Sequence, residues 1–368
     1  MPKNKLSAIK RNAEIYRILS GFLRSRGSAV KFPIPFNVKE VESLFQTSIW
    51  GHREIVLTIL MARLLNSKFE ASENFYACNP RSIFEKPIRK ALREHGIPHR
   101  KSGPLNIAKN SNKINRDWAT DKRGGEIAMN VVKIVKKIES VSQSELKKFA
   151  LAYIARYKQE AERIKKMVVN LPPQENPIYI SKLCSDLINF VPDGGATPQI
   201  VVGLLMETIN KDRKSNVIVS GHRDSVSTTN TTSKKPGDII EKINDNIELI
   251  YEVTTKKFSD DRLIESYEAV MAYDKILRNV FVICRPQDVP EALSNRGSSY
   301  IMATTQCREL VYYFINIYEY IQSAIIFLTP EGRKFFYEEL VAYVNNTYTS
   351  EKVKRYFKQW HSNNNALL

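Results

Sequence analysis

Through the first half of the chain, apolar residues recur at three- and four-residue spacing, the signature of amphipathic helices. The stretch up to about Arg26 predicts a helix whose buried face carries Ile9, Ala13, Tyr16, Leu19 and Leu23. Pro33 and Pro35 break the pattern. A second helix is expected after Asn37, and a third from Glu54 to Leu65, which is almost wholly apolar and therefore buried. The pattern resumes from Ile127 to Val141, then from about Glu145 through Lys166 behind a capping Ser142 or Ser144. Leu171-Pro172-Pro173-Gln174-Glu175-Asn176-Pro177 carries three prolines among polar residues and reads as a linker. It divides a mainly helical domain, residues 1–170, from a second domain, residues 178–368.

The period changes after the linker. Pro198 to Asn210 reads as an apolar helix and Asn216 to Ser220 as a short strand. Ile239-Ile240-Glu241 and Ile250 to Lys256 have the β-branched and aromatic composition of strands. Asn244-Asp245-Asn246 between them is turn chemistry. Ser259 caps a helix through Leu263, Tyr267, Val270 and Met271 that ends near Arg278, and Val280 to Cys284 is a continuous apolar strand. The order is helix, three strands, helix, strand, so the expected fold class is mixed α/β. Thr304 to Leu328 reads as a long core or dimer helix, Thr329 caps another, and Ser350 starts a last short one.

Charge narrows the function classes. With 56 Lys and Arg against 39 Asp and Glu the chain carries +17, which favours a polyanionic partner, nucleic acid first. No uncharged apolar run reaches the length needed to cross a bilayer. The four cysteines, Cys78, Cys184, Cys284 and Cys307, stand in no metal-binding spacing and read as reduced thiols of a cytoplasmic protein. Between Lys86 and Arg123 there are eleven Lys or Arg against three acids, roughly half the surplus in a tenth of the length. Ile97 to Pro104 should be a stiff irregular loop. Arg81, His99, Arg100, Lys101, Asn106 and Lys109 are the candidate DNA contacts here, with Asn79 and Asn110 beside them: basic side chains suit phosphates, Arg can read guanine, and Asn can read adenine. A solvated basic face is the competing reading. The loop from Ser220 through His222 and Arg223 to Lys235 is expected along the DNA backbone, with His222 and Arg223 as contacts.

The candidate chemistry lies in the hairpin. If it reverses about Asp245, Asp238 and Glu252 face each other across two strands, about 5 Å apart. Two carboxylates that close repel unless a cation separates them, and oxygen donors suit Mg²⁺. Strand alternation sets Thr254 and Lys256 on the face of Glu252. An ordinary hairpin with exposed charges is the alternative. Glu207 and Glu265, on the flanking helices, are either further carboxylate donors or solvated charges. No GxxxxGK[ST] phosphate loop, methyltransferase signature or serine or cysteine hydrolase signature occurs.

Pro236-Gly237-Asp238, a Glu fourteen positions on, and a nearby lysine resemble the active site of the PD-(D/E)xK nuclease superfamily. The pattern departs at Thr254, where the superfamily has its lysine, so Lys256 or Lys257 would fill that role. CNPRSIFEKPIRKAL, GIPHRKSGPLNIAKN, INRDWA, PGDIIE and YEVTTKKFSDDRLIESYEAV are similar to type II restriction endonucleases of the Sac I-like group, over roughly residues 40 to 290. The resemblance implies Mg²⁺-dependent cleavage of double-stranded DNA at a short palindrome by a homodimer, paired with a cognate DNA methyltransferase. Asp238 and Glu252 would hold the metal and Lys256 would act beside them. A repair or structure-specific nuclease, and a DNA-binding protein that kept the fold without activity, are the alternatives.

Overall fold

The computed structural model describes residues 2–25, 31–47, 49–100, 103–109, 111–121, 125–223, 235–273, 276–293, 297–346 and 348–364. The chain divides into two compact units, Met1–Lys166 and Met167–Leu368.

The first unit is helical. Helices Pro2–Arg24, Val38–Gln46, Gly51–Leu65, Gly125–Ser140 and Gln143–Lys165 surround one core. Local chemistry sets their starts: the Asn37 side chain accepts from Lys39 N, and Ser142 with Glu145 forms a reciprocal capping box. The first helix buries Ile15, Leu19 and Leu23, whereas Ile9 and Ala13 lie on its exposed side. The basic segment is more ordered than expected. Pro80–Ile83, Phe84–Ile88 and Arg89–Glu94 run on as one helical stretch with a π-turn around Pro87, because a proline ring displaces the usual i−4 carbonyl. Gly96, at φ +64°, ends it. The loop expected through Pro104 gives way to a helix, Gly103–Ala108, with Pro104 in its first turn, where a missing N–H costs nothing.

The second unit is a six-stranded mixed sheet in the order β1-β2-β3-β4-β6-β5: β1 (Ile218–Ser220), β2 (Ile239–Ile243), β3 (Asn246–Thr254), β4 (Asn279–Cys284), β5 (Ile301–Cys307) and β6 (Leu310–Asn316). β3 pairs parallel with β4, and β4 with β6; the other pairs are antiparallel. Helices Pro177–Phe190, Ala196–Asp212, Ile317–Ile326, Pro330–Asn345 and Glu351–Asn363 share a core with Ile239, Val253, Ile283 and Ile315 on one face. Helix Asp260–Tyr273 covers the other face, packing Tyr267 and Val270 with Ile250, Val280, Val282 and Phe314. From Ala196 to Cys284 the order is the expected helix, three strands, helix, strand.

The expected helix from Thr304 to Leu328 is instead the β5–β6 hairpin followed by Ile317–Ile326. Arg308, at φ +52°, turns the hairpin. The dense Tyr, Phe and Ile content reflects β6 lying between two strands with both faces covered, where alternation disappears. The second-unit helix that starts at Asp260 also stops at Tyr273, short of Arg278.

Candidate active site

The hairpin that carries the carboxylates is built differently from its sequence symmetry. Asn244 and Asp245 both have positive φ, 50° and 66°, so the turn is a two-residue one and Asn246 already pairs with Ile243. That register alone would set Asp238 opposite Tyr251. A one-residue bulge, with Glu241 pairing Leu249 and Lys242 pairing Ile247, leaves Glu248 over and restores Ile239 opposite Tyr251. Continued one step, this register brings Asp238 opposite Glu252. Asp238 N donates to Tyr251 O at 3.0 Å, and the Asp238 carboxylate accepts from Val253 N at 3.0 Å.

Two glycines permit the approach. A Cβ on Gly237 would come within 2.6 Å of the Ile250 methyl and 3.0 Å of Tyr251 O. Gly221, at φ +98°, lies so close that its Cβ would meet Asp238 O at 2.4 Å.

Asp238 is half-buried and Glu252 only 3% exposed. Burial raises the Glu252 pKa well above the carboxylate range, and the neighbouring Asp238 charge raises it further, against a smaller opposing effect of Arg262. Asp238 is also raised, by burial, with the Val253 amide and the Arg262 charge working the other way. The two carboxyls are hydrogen-bonded to each other, and two charged carboxylates this close repel unless a cation sits between them. The Ser266 hydroxyl donates to Glu252 Oε1 at 3.3 Å.

This pair fits a hard divalent cation: both donors are oxygens, and each resists ionisation without a counter-charge. Among the described residues no cluster of three or more His, Cys, Asp or Glu forms a metal site. Water and substrate oxygens would complete the shell, as is usual for Mg²⁺.

Lys256 lies two residues beyond the end of β3, so strand alternation does not set it on the carboxylate face. β3 ends at Thr254, whose hydroxyl accepts from Lys256 N and donates to Lys256 O, both at 3.1 Å. That turn leaves Lys256 exposed on a loop pinned by Arg285, which donates to Thr255 O at 2.8 Å and pairs with Asp288 at 2.7 Å. Lys257 pairs with Glu291 at 3.5 Å. The Thr254 hydroxyl also accepts from Arg262 Nη1 at 2.7 Å. Arg262 and Ser266 are the residues that strand-based reading missed. Their four-residue spacing is the signal that sets both on one helix face.

Glu207 and Glu265 do not join the pair. Glu207 is engaged by Lys211 at 3.0 Å, His222 at 3.1 Å and Arg223 at 3.0 Å, and Glu265 is exposed. His222, expected along the DNA, is 3% exposed and packs over Gly203, where a Cβ would fall 2.0 Å from its own. Burial and the Arg223 charge lower its pKa. Arg223 is exposed but clasped by Glu207 and Glu339, the latter at 2.8 Å. The rest of that predicted loop, residues 224–234, lies outside the described residues.

In the first unit, Arg81 is exposed and paired with Glu85 at 3.8 Å, and Lys109 is exposed just past its helix. Asn79 is not a base reader in this arrangement, because its side chain caps Ser82 N. His99 is 4% exposed and turned inward, with its pKa lowered by burial, so it does not face a phosphate. Arg100 is half-buried: its guanidinium lies 5.0 Å over the Trp50 ring and its N–H donates to Glu54 Oε1 at 2.5 Å. Asn106 lies on Gly103–Ala108, while its side chain, Lys101 and Asn110 are outside the described residues. The three cysteines Cys78, Cys184 and Cys284 are buried free thiols, and Cys307 is a half-buried one.

No helix of the described residues is long and apolar enough to cross a membrane. Comparison with family models and with curated proteins finds no match to this chain.

Proposed function

We propose that the protein is a site-specific type II deoxyribonuclease of PD-(D/E)xK type, which hydrolyses phosphodiester bonds in double-stranded DNA with Mg²⁺. The observation that carries this reading is the Asp238–Glu252 pair, desolvated and hydrogen-bonded, on a helix–three-strand–helix–strand core. The +17 charge supports a DNA partner. A homodimer acting on a palindrome, a cognate methyltransferase and a bacterial or archaeal cytoplasm belong to the same reading.

In this mechanism Asp238 and Glu252 would hold the metal, both in the charged form. When bound, Mg²⁺ supplies Lewis acidity and lowers the pKa of a coordinated water. The Val253 N–H and Ser266 hydroxyl hold the two carboxylates in place. Water adds to phosphorus, one ester P–O bond breaks, and one fragment keeps the phosphate while the other gains a hydroxyl.

Threonine at position 254, with Lys256 exposed beyond the end of β3, favours one second reading, a DNA-binding protein without cleavage activity. Incubation with phage DNA, with Mg²⁺ or with EDTA, separates them. Discrete fragments with Mg²⁺ only, lost in Asp238→Ala and Glu252→Ala, support the restriction nuclease. A smear or single nicks favour a repair or structure-specific enzyme. Intact but tightly bound DNA leaves the binding protein.

A further inference from the structure

We infer that the Arg262 guanidinium, not Lys256, is the cation that contacts the scissile phosphate beside Asp238 and Glu252. This rests on the nuclease reading above and assigns a catalytic residue within it.

Glu252 and Thr254 point to the face of the sheet that helix Asp260–Tyr273 covers. Ser266, on that helix, reaches Glu252, and Arg262, one turn earlier, reaches Thr254 at 2.7 Å. The guanidinium therefore occupies the place from which a lysine at position 254 would project. Thr254 cannot take over the task itself. Its hydroxyl donates to Lys256 O and accepts from both Lys256 N and Arg262, which fills its bonding capacity.

Arg262 is also held in a way that suits an incoming oxyanion. Its guanidinium carbon lies 4.8 Å over the Phe258 ring, which restricts the plane of the fork. Phe258 is itself fixed, 2% exposed, with its N–H on Asp288 O at 3.1 Å. Arg262 is half-buried rather than sealed off from solvent. One of five N–H donors makes the Thr254 bond, and the planar fork presents others to a phosphate. Two rival cations are placed less well. Lys256 lies beyond the end of β3, and the charge of Lys235 acts on Asp238 less than that of Arg262 does. In the reaction the guanidinium keeps all its protons and offsets charge that builds on the phosphate oxygens.

The test compares full-length variants in single-turnover cleavage with Mg²⁺ and in DNA binding with Ca²⁺. Arg262→Ala should slow cleavage by about 100- to 1,000-fold, while Lys256→Ala stays within a few-fold of wild type. Arg262→Lys should fall between them. Millimolar guanidinium, or Thr254→Lys added to Arg262→Ala, should restore part of the rate. In the binding arm, Arg262→Ala should lower the salt slope by about one, as loss of one phosphate contact does. Normal cleavage by Arg262→Ala, or a loss confined to Lys235→Ala or Lys256→Ala, overturns the inference and leaves the nuclease reading standing. So does a loss that neither guanidinium nor Thr254→Lys relieves, with an unchanged salt slope, since Arg262 would then be only a clamp on Thr254. If wild-type protein with Mg²⁺ leaves DNA intact, the nuclease reading fails and this inference with it.

Discussion

Glu252 is a buried acid whose surroundings disfavour its charged form. Its folded pKa lies above its unfolded one, from burial and then from Asp238. Stability from that carboxyl is therefore full at low pH and lost as pH rises through the folded pKa. Glu252→Gln keeps the neutral form, so it should raise the metal-free unfolding midpoint at and above neutral pH, by on the order of 1–2 kcal/mol, with little change in acid. A bound metal would favour the charged form of the same carboxyl. Titration calorimetry in buffers of different ionisation heat should show proton release on Mg²⁺ binding, with affinity falling as pH is lowered. Glu54 presents the same physics in the first unit. Burial pushes it up to about 7, against the Arg100 amide and the charges of Arg53, Arg100 and Arg89. A Cβ on Gly103 would fall 1.3 Å from Glu54 Oε2. Gly103→Ala should therefore lower stability by about 1–3 kcal/mol, read as a shift in the denaturant midpoint at constant slope.

Among the elements, the β2–β3 hairpin decides the chemistry. Glu248 is exposed and contributes no side chain to the site, yet the bulge that absorbs it is what keeps Asp238 opposite Glu252. Deletion of Glu248 should remove the bulge and keep Asp238 opposite Glu252, whereas one alanine inserted between Ile250 and Tyr251, with the bulge intact, should set Asp238 opposite Tyr251 and drop DNA cleavage below detection while the helical content seen by circular dichroism persists. Gly237→Ala acts by displacement rather than register, pushing the Asp238 turn off Ile250 and Tyr251. A shift near 1 Å at a metal-binding carboxylate should slow cleavage by about 100-fold. The β5–β6 hairpin shows the opposite case, where composition misled. A strand covered on both faces loses its alternation, and its apolar density then matches that of a buried helix. The Tyr, Phe and Ile enrichment of residues 310–316 was the available arbiter.

For the whole chain, the +17 charge sets the expected DNA behaviour. Affinity measured with Ca²⁺ should fall steeply and linearly with the logarithm of salt, about 0.9 per phosphate neutralised. A flat profile would remove the electrostatic support for a DNA partner. The sequence alone determined the mixed α/β class, a proline-rich break after a helical first half, the strand–turn–strand around Asp245 and the two candidate carboxylates that flank it. These follow from local periodicity, capping and turn chemistry, which neighbouring residues settle among themselves. Only the tertiary structure decided how the site is completed. The bulge at Glu248, the turn of Thr254 onto Lys256, the arrival of Arg262 and Ser266 from the next helix, and the burial of His99 and His222 all depend on contacts between elements. Such contacts join residues that no short-range pattern links, so position 254 read as a missing lysine until packing set a guanidinium beside it.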